Sequence, residues 1–258
     1  IPYMRTSSFS SLVQDCESML LHLIGCSNGR VIFYTASGTG AMDAVVTNYV
    51  SLKNKAFVVA GGSFGYRWKS LCDYYDIDVV LYEVPFAKDI DYSDLEAKIA
   101  LSHPDVFLCQ QHETSTGQMF NLDKISYICK KYHISLVVDA ISSFLADPLH
   151  MSDLGIDICI TSSQKGLNIA PGLSFVILSQ NISDMHFASS GYYFDFNENL
   201  KIDFESEKEY FKDTMPNEMD VNRVVTEYAK VLFETNGKPI KCNTHYYLGS
   251  GGEKIVFL

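Results

Sequence analysis

Lys165 and Asp139 are the two residues of the sequence whose side chains could take part most directly in a reaction. Lys165 follows the apolar run 156–163, where partial desolvation would free its amine to act as a nucleophile. Asp139 lies at the end of the apolar run 134–138, where a carboxylate is costly unless a metal, an arginine or a protonated ring nitrogen pairs with it. The ordinary alternatives are a solvated loop lysine and a helix-capping or salt-bridged aspartate.

Three further segments carry groups that suit a flat, phosphorylated ligand. Ser-Gly-Thr-Gly at 37–40 precedes a predicted helix starting near Ala41, whose N–H groups and dipole would favour a phosphate. Phe64 lies among glycines, where its ring can stack on a planar ligand, and the hydroxyl of Thr114 can bind a ligand oxygen. A plain strand-to-helix turn, a core side chain and a turn cap are the alternatives. The glycine spacing excludes a P-loop and a dinucleotide fingerprint.

The elements that must position these groups are strands alternating with helices. Apolar runs typical of buried strands are GRVIFYTA, KAFVVAG, IDVVLYEV, DVFLCQQ, ISLVVDA, IDICITSS and GLSFVILS. Helical periodicity separates most of them, so the pattern predicts an α/β fold with a mainly parallel sheet flanked by helices on both faces. Ligands of such folds bind beyond the carboxyl ends of the strands. All five segments follow predicted strands, so we expect them to meet at one edge of the sheet.

Together the five segments would supply an amine, an acid, a phosphate seat, a stacking ring and a hydroxyl. Pyridoxal 5′-phosphate (PLP) requires such a set, because its enzymes need a lysine, an acid near the ring nitrogen and a phosphate anchor. The pattern therefore favours PLP as the cofactor, and it predicts no metal site.

Composition narrows the class of protein further. The 258 residues carry a formal net charge of −11 with a sequence pI of about 5.0, which argues against nucleic-acid and anionic-membrane partners. Seven cysteines occur without a Cys-x-x-Cys pair, several of them in apolar runs, so we expect buried free thiols and a cytoplasmic protein. No apolar run approaches the roughly 20 residues of a membrane span.

The segment VVDAISSFLADPLHMSDLGIDICITSSQKGLNIAPGLSFVILS resembles the core of the class V PLP-dependent aminotransferases. It is most similar to the alanine– and serine–glyoxylate aminotransferase branch, with 2-aminoethylphosphonate–pyruvate aminotransferases as near neighbours. The family's motifs occur in order as SGTG, GSFG, HETSTG, VDA and SQKGL followed by Pro-Gly. The resemblance extends from about residue 5 to residue 178. It implies the fold of type I PLP-dependent transferases.

The resemblance also implies roles for the site residues. Lys165 would hold the cofactor as a Schiff base and move the proton during catalysis, and Asp139 would keep the ring nitrogen protonated. Phe64 would stack on the ring, and Thr114 would bond near its phenolic oxygen. The backbone N–H groups of Gly40 and Ala41, together with Gln164, would hold the phosphate, and Thr39 would also bind the cofactor. The family further implies a homodimer with active sites at the interface.

The resemblance weakens in the C-terminal part of the chain. We expect a large PLP-binding domain over residues 1–185 and a smaller α/β domain over 186–258. The family's arginine for the substrate carboxylate and its threonine–proline stretch are absent there. We therefore expect segments to be missing at both ends and near 200–245.

The expected activity is transfer of an amino group from alanine or serine to glyoxylate or pyruvate. A 2-aminoethylphosphonate–pyruvate aminotransferase is the first alternative. A PLP-dependent lyase or desulfurase would need a reactive cysteine, for which Cys242 is the late candidate. A non-catalytic relative of the fold is a further alternative, although intact Lys165 and Asp139 argue against it.

Overall fold

The computed structural model describes residues 6–188 and 191–201 of the chain. The helices in these ranges are α1 Ser7–Leu23, α2 Gly38–Asn48, α3 Ser63–Tyr74, α4 Tyr92–Ser102, α5 Leu122–Tyr132, α6 Met151–Leu154, α7 Gln180–Ser183 and α8 Phe196–Leu200, with a 3-10 turn at Val50–Leu52. The strands are β1 Arg30–Tyr34, β2 Ala56–Ala60, β3 Val79–Glu83, β4 Val106–Gln110, β5 His112–Glu113, β6 Gln118–Met119, β7 Ser135–Asp139, β8 Ile158–Ser162 and β9 Ser174–Leu178. Each of the seven apolar runs forms the strand predicted for it.

The main sheet has seven strands in the order β1-β9-β8-β7-β4-β2-β3. Strands β3, β2, β4, β7 and β8 pair in parallel, while β9 runs antiparallel to both β1 and β8. The predicted mainly parallel α/β fold is therefore confirmed, with β9 as the reversed strand. A two-stranded hairpin of β5 and β6 follows β4.

The strand register brings the carboxyl ends of the parallel strands to one edge. Gln110 at the end of β4 pairs with Asp139 at the end of β7, and Asp139 pairs with Ile160 in β8. Because β1 runs parallel to β8 across β9, its carboxyl end reaches the same edge. All five chemically interesting segments follow strands that end there.

Two hydrophobic clusters hold the sheet between helices. One contains Met42 of α2 and Trp68 of α3, and the other contains Leu95 of α4 and Ile125 of α5. All four side chains are fully buried, and burial of this kind contributes about 1.5–3 kcal/mol per large apolar side chain. The sheet edge that carries the site is therefore anchored on both faces.

Residues 17–188 and 191–201 are the described part of one compact unit, and residues 6–16 are the described part of the other. Most of the predicted small domain, 186–258, lies outside the described residues, so its boundary at 185/186 stays a prediction. Cys242 also lies outside them. Five cysteines (Cys26, Cys72, Cys109, Cys129 and Cys159) are buried and unbridged, as predicted. Of the helices described, none has the length and apolarity needed to cross a bilayer.

Candidate active site

Asp139 is a buried carboxylate at the end of β7. Its side chain is placed by a local turn, in which Oδ1 accepts a hydrogen bond from the Ile141 N–H at 2.8 Å. Burial raises the pKa of Asp139 to about 7; nearby Glu113 raises it further, whereas the Ile141 N–H and the cations of Arg67 and Lys165 lower it. Within the described residues Oδ2 has no hydrogen-bond partner, so this oxygen is open to a donor from a ligand.

The loop between β8 and β9 carries Lys165 and is closed at its base by Ser163. The buried Ser163 hydroxyl donates to the Ala170 carbonyl at 2.7 Å and accepts the Leu173 N–H at 3.2 Å. The position after Lys165 is Gly166, where a Cβ would lie 1.9 Å from a backbone carbonyl oxygen of the loop after β7. A glycine is therefore required there, and it sets the Lys165 loop against the loop that follows Asp139.

Lys165 itself is exposed among the described residues. The apolar neighbours of Lys165 in the sequence predict a partly desolvated amine, but the described residues leave this side chain exposed to solvent. The physical reason is position, since Lys165 lies beyond the end of β8 at the open edge of the sheet. Its ammonium nevertheless lies close enough to Asp139 to lower the pKa of that carboxyl.

The N-terminus of α2 begins earlier than predicted. Ser37 is the N-cap, and its hydroxyl accepts the Gly40 N–H at 3.3 Å, so the helix starts at Gly38 instead of near Ala41. The Ala41 N–H donates to the Ser37 carbonyl at 3.2 Å. Both N–H groups proposed for the phosphate thus already have partners. The N–H groups of Gly38 and Thr39 have none among the described residues, so the N–H groups open to an anion lie two residues earlier than expected.

Glycines allow two helix starts to approach neighbouring loops. A Cβ on Gly38 would lie 2.2 Å from the Ile141 side chain, so α2 begins directly against the loop after Asp139. A Cβ on Gly62, just before α3, would lie 2.3 Å from the Ser115 hydroxyl. A larger residue at either position would therefore force a neighbouring side chain to move.

Glu113 caps the start of α3 from a different strand. The buried carboxylate accepts hydrogen bonds from the Gly65 N–H at 3.0 Å, the Ser115 hydroxyl at 2.6 Å and the Gln110 amide at 2.9 Å, with a longer one from Phe64 N–H at 3.4 Å. It therefore fixes the turn that presents the Phe64 ring. Of the HETSTG motif, sequence reasoning assigned only Thr114, although an acid closely following an apolar strand is the same signal that singled out Asp139.

Substitution of Glu113 by glutamine is expected to lower the free energy of unfolding by about 2–3 kcal/mol, because one oxygen becomes an amide that faces buried donors. Denaturant unfolding of the cofactor-free protein measures this change. The matched control is Glu96→Gln, which removes a carboxylate from the exposed ion pair with Lys131 at 2.6 Å. We expect that variant to be near neutral. Equal effects of the two substitutions would contradict the capping role of Glu113.

Phe64, Arg67 and Thr39 form a connected group at the same edge. The Arg67 guanidinium donates from Nη1 to the Thr39 hydroxyl at 2.8 Å, and its Cζ lies 4.9 Å from the centroid of the Phe64 ring. Sequence reasoning left Arg67 unassigned. Phe64 and Arg67 lie three positions apart on α3, and residues at that spacing share a helix face.

Thr114 and Gln164 are the more loosely placed of the predicted site residues. The Thr114 hydroxyl lies 2.7 Å from the hydroxyl of Ser142, in the loop after Asp139. Gln164 is exposed and makes no hydrogen bond within the described part of the chain. The roles of both residues in cofactor binding stay predictions.

The arrangement fits PLP chemically. Asp139 offers an open oxygen to a protonated ring nitrogen, Lys165 brings an amine to the same edge, and the ring of Phe64 can stack on a planar ligand. The start of α2 supplies two unpaired N–H groups and a hydroxyl for a phosphate. Within residues 6–188 and 191–201, no group of three or more His, Cys, Asp or Glu side chains suits a metal ion.

Comparison with known proteins identifies the family. The class-V aminotransferase family model matches residues 3–221. The chain belongs to this family. The enzymes of the class-V aminotransferase family depend on PLP, so the predicted family and cofactor are confirmed at that level.

Individual relatives of this chain within the class-V aminotransferase family are named for different functions. The small subunit of a soluble hydrogenase from Synechococcus sp. is 32% identical over 68% of this chain and 46% of its own length. A 2-aminoethylphosphonate–pyruvate transaminase from Lysinibacillus sphaericus is 28% identical over 67% of this chain and 48% of its own. The crystal structure of an aspartate aminotransferase from Thermus thermophilus matches with a TM-score of 0.72 and 25% identity, over 81% of this chain and 58% of that one. The chain thus spans less than half the length of these two sequence relatives.

Proposed function

We propose that the protein is a PLP-dependent aminotransferase that moves an amino group from alanine or serine to glyoxylate or pyruvate. The observation that carries the proposal is the convergence of Lys165, Asp139 and Phe64 at one edge of the sheet. Electrostatic coupling of Lys165 to Asp139 supports it, as does the link from Phe64 through Arg67 to the start of α2.

In this proposal each residue acts at a stated atom. The bound cofactor supplies an electron sink for the bond broken at the substrate α carbon. Lys165 Nζ would take the proton from the α carbon of the amino donor as a general base. In the second half of the reaction it would deliver a proton to the α carbon of the acceptor as a general acid. Asp139 Oδ2 would accept the hydrogen bond of the protonated ring nitrogen and, as an anion, would keep that proton in place. Phe64 holds the plane of the ring by stacking.

The start of α2 is the proposed phosphate seat. The N–H groups of Gly38 and Thr39 and the Thr39 hydroxyl would receive the phosphate there. Gly40 and Ala41 would contribute by forming the first turn of the helix, and Gln164 would contact the phosphate from the Lys165 loop. An acidic protein that still presents cations at this edge is suited to small anionic substrates.

A homodimer in the cytoplasm completes the proposal. Lys165 is exposed, and Ile169 and Leu173 on the same loop are large apolar residues with 54% and 38% exposure. Cover from a second copy of the chain would exclude water from this edge. Buried unbridged cysteines support a reducing compartment, and the net negative charge supports the absence of nucleic-acid and membrane partners.

A 2-aminoethylphosphonate–pyruvate aminotransferase is the second candidate. It is favoured by the Lysinibacillus relative and by the HETSTG and DAISSF sequences. Both candidates share the cofactor chemistry and differ in the amino donor. A lyase or desulfurase would depend on Cys242, which lies outside the described residues. A non-catalytic relative would not require Lys165 and Asp139 to interact.

The test is titration of the full chain with PLP, followed by single amino donors. We expect a visible absorbance band on cofactor binding and its conversion by one of alanine, serine or 2-aminoethylphosphonate, with recovery on adding pyruvate or glyoxylate. Conversion by the phosphonate alone would select the second candidate. A band that none of the three amines changes would reject both substrate assignments, and a protein that binds no PLP would reject the proposed function.

A further inference from the structure

Two separate strand–helix units supply the two ends of the proposed cofactor seat. The start of α2 brings Thr39 to the phosphate end, and the start of α3 brings Phe64 to the ring end. The seat requires a set distance between these ends, because a bound ring and its phosphate are joined covalently. The side chain that spans the gap is Arg67, which contacts both residues.

We infer that Arg67 is a positioning residue that holds the Thr39 hydroxyl and one face of the Phe64 ring in fixed relation. This inference rests on the proposed function. The guanidinium covers one face of Phe64 at 4.9 Å, which leaves the opposite face to stack on a planar ligand. Its hydrogen bond to Thr39 at 2.8 Å orients the threonine hydroxyl so that the oxygen accepts from Arg67 and its proton points elsewhere.

The chemistry of arginine suits this task better than that of lysine. The guanidinium is planar, so it can lie flat over a ring while an edge N–H donates to a hydroxyl. Arg67 is half-buried, and its charge also acts on the carboxyl of Asp139. The same side chain therefore touches or influences three of the predicted site residues, although it was not assigned from the sequence.

A second hydrogen bond between the same two helical segments provides a matched control. Tyr75, which ends α3, donates from its hydroxyl to Asp43 of α2 at 2.9 Å. Tyr75→Phe removes this link without touching Thr39, Phe64 or the sheet edge. A purely structural role for Arg67 predicts that the two substitutions behave alike.

The experiment compares Arg67→Met, Arg67→Lys and Tyr75→Phe in the full chain. The dissociation constant for PLP comes from absorbance titration, and the thermal midpoint is measured without cofactor. We expect Arg67→Met to weaken PLP binding about tenfold, equivalent to about 1.4 kcal/mol, and Arg67→Lys about threefold. Tyr75→Phe is expected to stay within about twofold of the wild type for PLP, whatever its effect on the midpoint.

A double-mutant cycle with Thr39→Val tests whether Arg67 acts through Thr39. The inference predicts that Arg67→Met costs less affinity, about threefold, once the Thr39 hydroxyl is absent. Wild-type PLP affinity in folded Arg67→Met, or an equal loss in Tyr75→Phe, would overturn the inference while leaving the proposed function intact. Should Arg67→Met not fold, Arg67→Gln replaces it, since its shorter amide cannot keep both contacts. A wild-type chain without PLP affinity would overturn the proposed function and this inference together.

Discussion

Lys165→Ala is expected to abolish the visible absorbance of bound PLP and to lower the rate of amino transfer by about 10³-fold or more. The reason is that one amine both attaches the cofactor and moves the proton at the substrate α carbon. Among the described residues, Lys165 is the lysine whose charge lowers the pKa of the Asp139 carboxyl. We also expect the variant to lose PLP on dialysis, which measures retention independently of the rate.

Lys88→Ala is the matched control for this prediction. Lys88 is also exposed, and its side chain makes no hydrogen bond or ion pair within the described ranges. Its substitution removes one surface positive charge, as Lys165→Ala does, but leaves the proposed cofactor lysine in place. The absorbance band and the rate should therefore be unchanged. A Lys165→Ala protein that kept the band, or a Lys88→Ala protein that lost it, would contradict the assignment of the cofactor lysine.

Asp139→Asn is expected to stabilise the cofactor-free protein at pH 8. The ordinary pKa of the carboxyl is 3.8, and burial raises it to about 7 in the folded chain. Between these values the folded state binds more protons than the unfolded state, so stability falls as the pH rises toward 7. Asparagine carries no charge, so the gain is on the order of 2–4 kcal/mol at pH 8 and shrinks toward pH 4. Thermal or denaturant unfolding across this range measures it.

The same substitution is expected to slow amino transfer by about 10²-fold or more, because a neutral amide cannot hold the ring nitrogen protonated. Stability should thus rise while activity falls, as is common where a functional group lowers the free energy of unfolding. A rate within a few-fold of the wild type would remove Asp139 from the proposed mechanism.

Asp157→Asn provides the comparison for both effects. Asp157 precedes β8 at the opposite edge of the sheet, where its carboxylate accepts the Leu136 N–H at 3.0 Å. Burial raises the pKa of this carboxyl as well. We therefore expect a stability change of the same sign without loss of activity. Loss of activity in Asp157→Asn would show that removing a buried carboxylate at either edge of the sheet lowers activity, which would contradict a specific role for Asp139.

Local sequence determined much of the architecture. Runs of alternating apolar strands and periodic helices predict the sheet because parallel strands buried on both faces must be apolar along their whole length. The same pattern places Asp139 and Lys165 beyond strand ends, and the VDA and SQKGL motifs point to the cofactor chemistry. Strand positions follow from these local signals, and each predicted strand was found where expected.

Tertiary structure alone decided which groups face one another. The antiparallel direction of β9 depends on pairing with β1 and β8, since an apolar run looks the same in either direction. The capping of α3 by Glu113 joins residues 48 positions apart, and the bond from Arg67 to Thr39 spans 28. Such contacts have no periodicity to reveal them, because they depend on where separate strands end in space. Local sequence therefore determined the strand positions and the motifs that point to the cofactor. Packing decided the exposure of Lys165, the earlier start of α2 and the partners that orient Phe64.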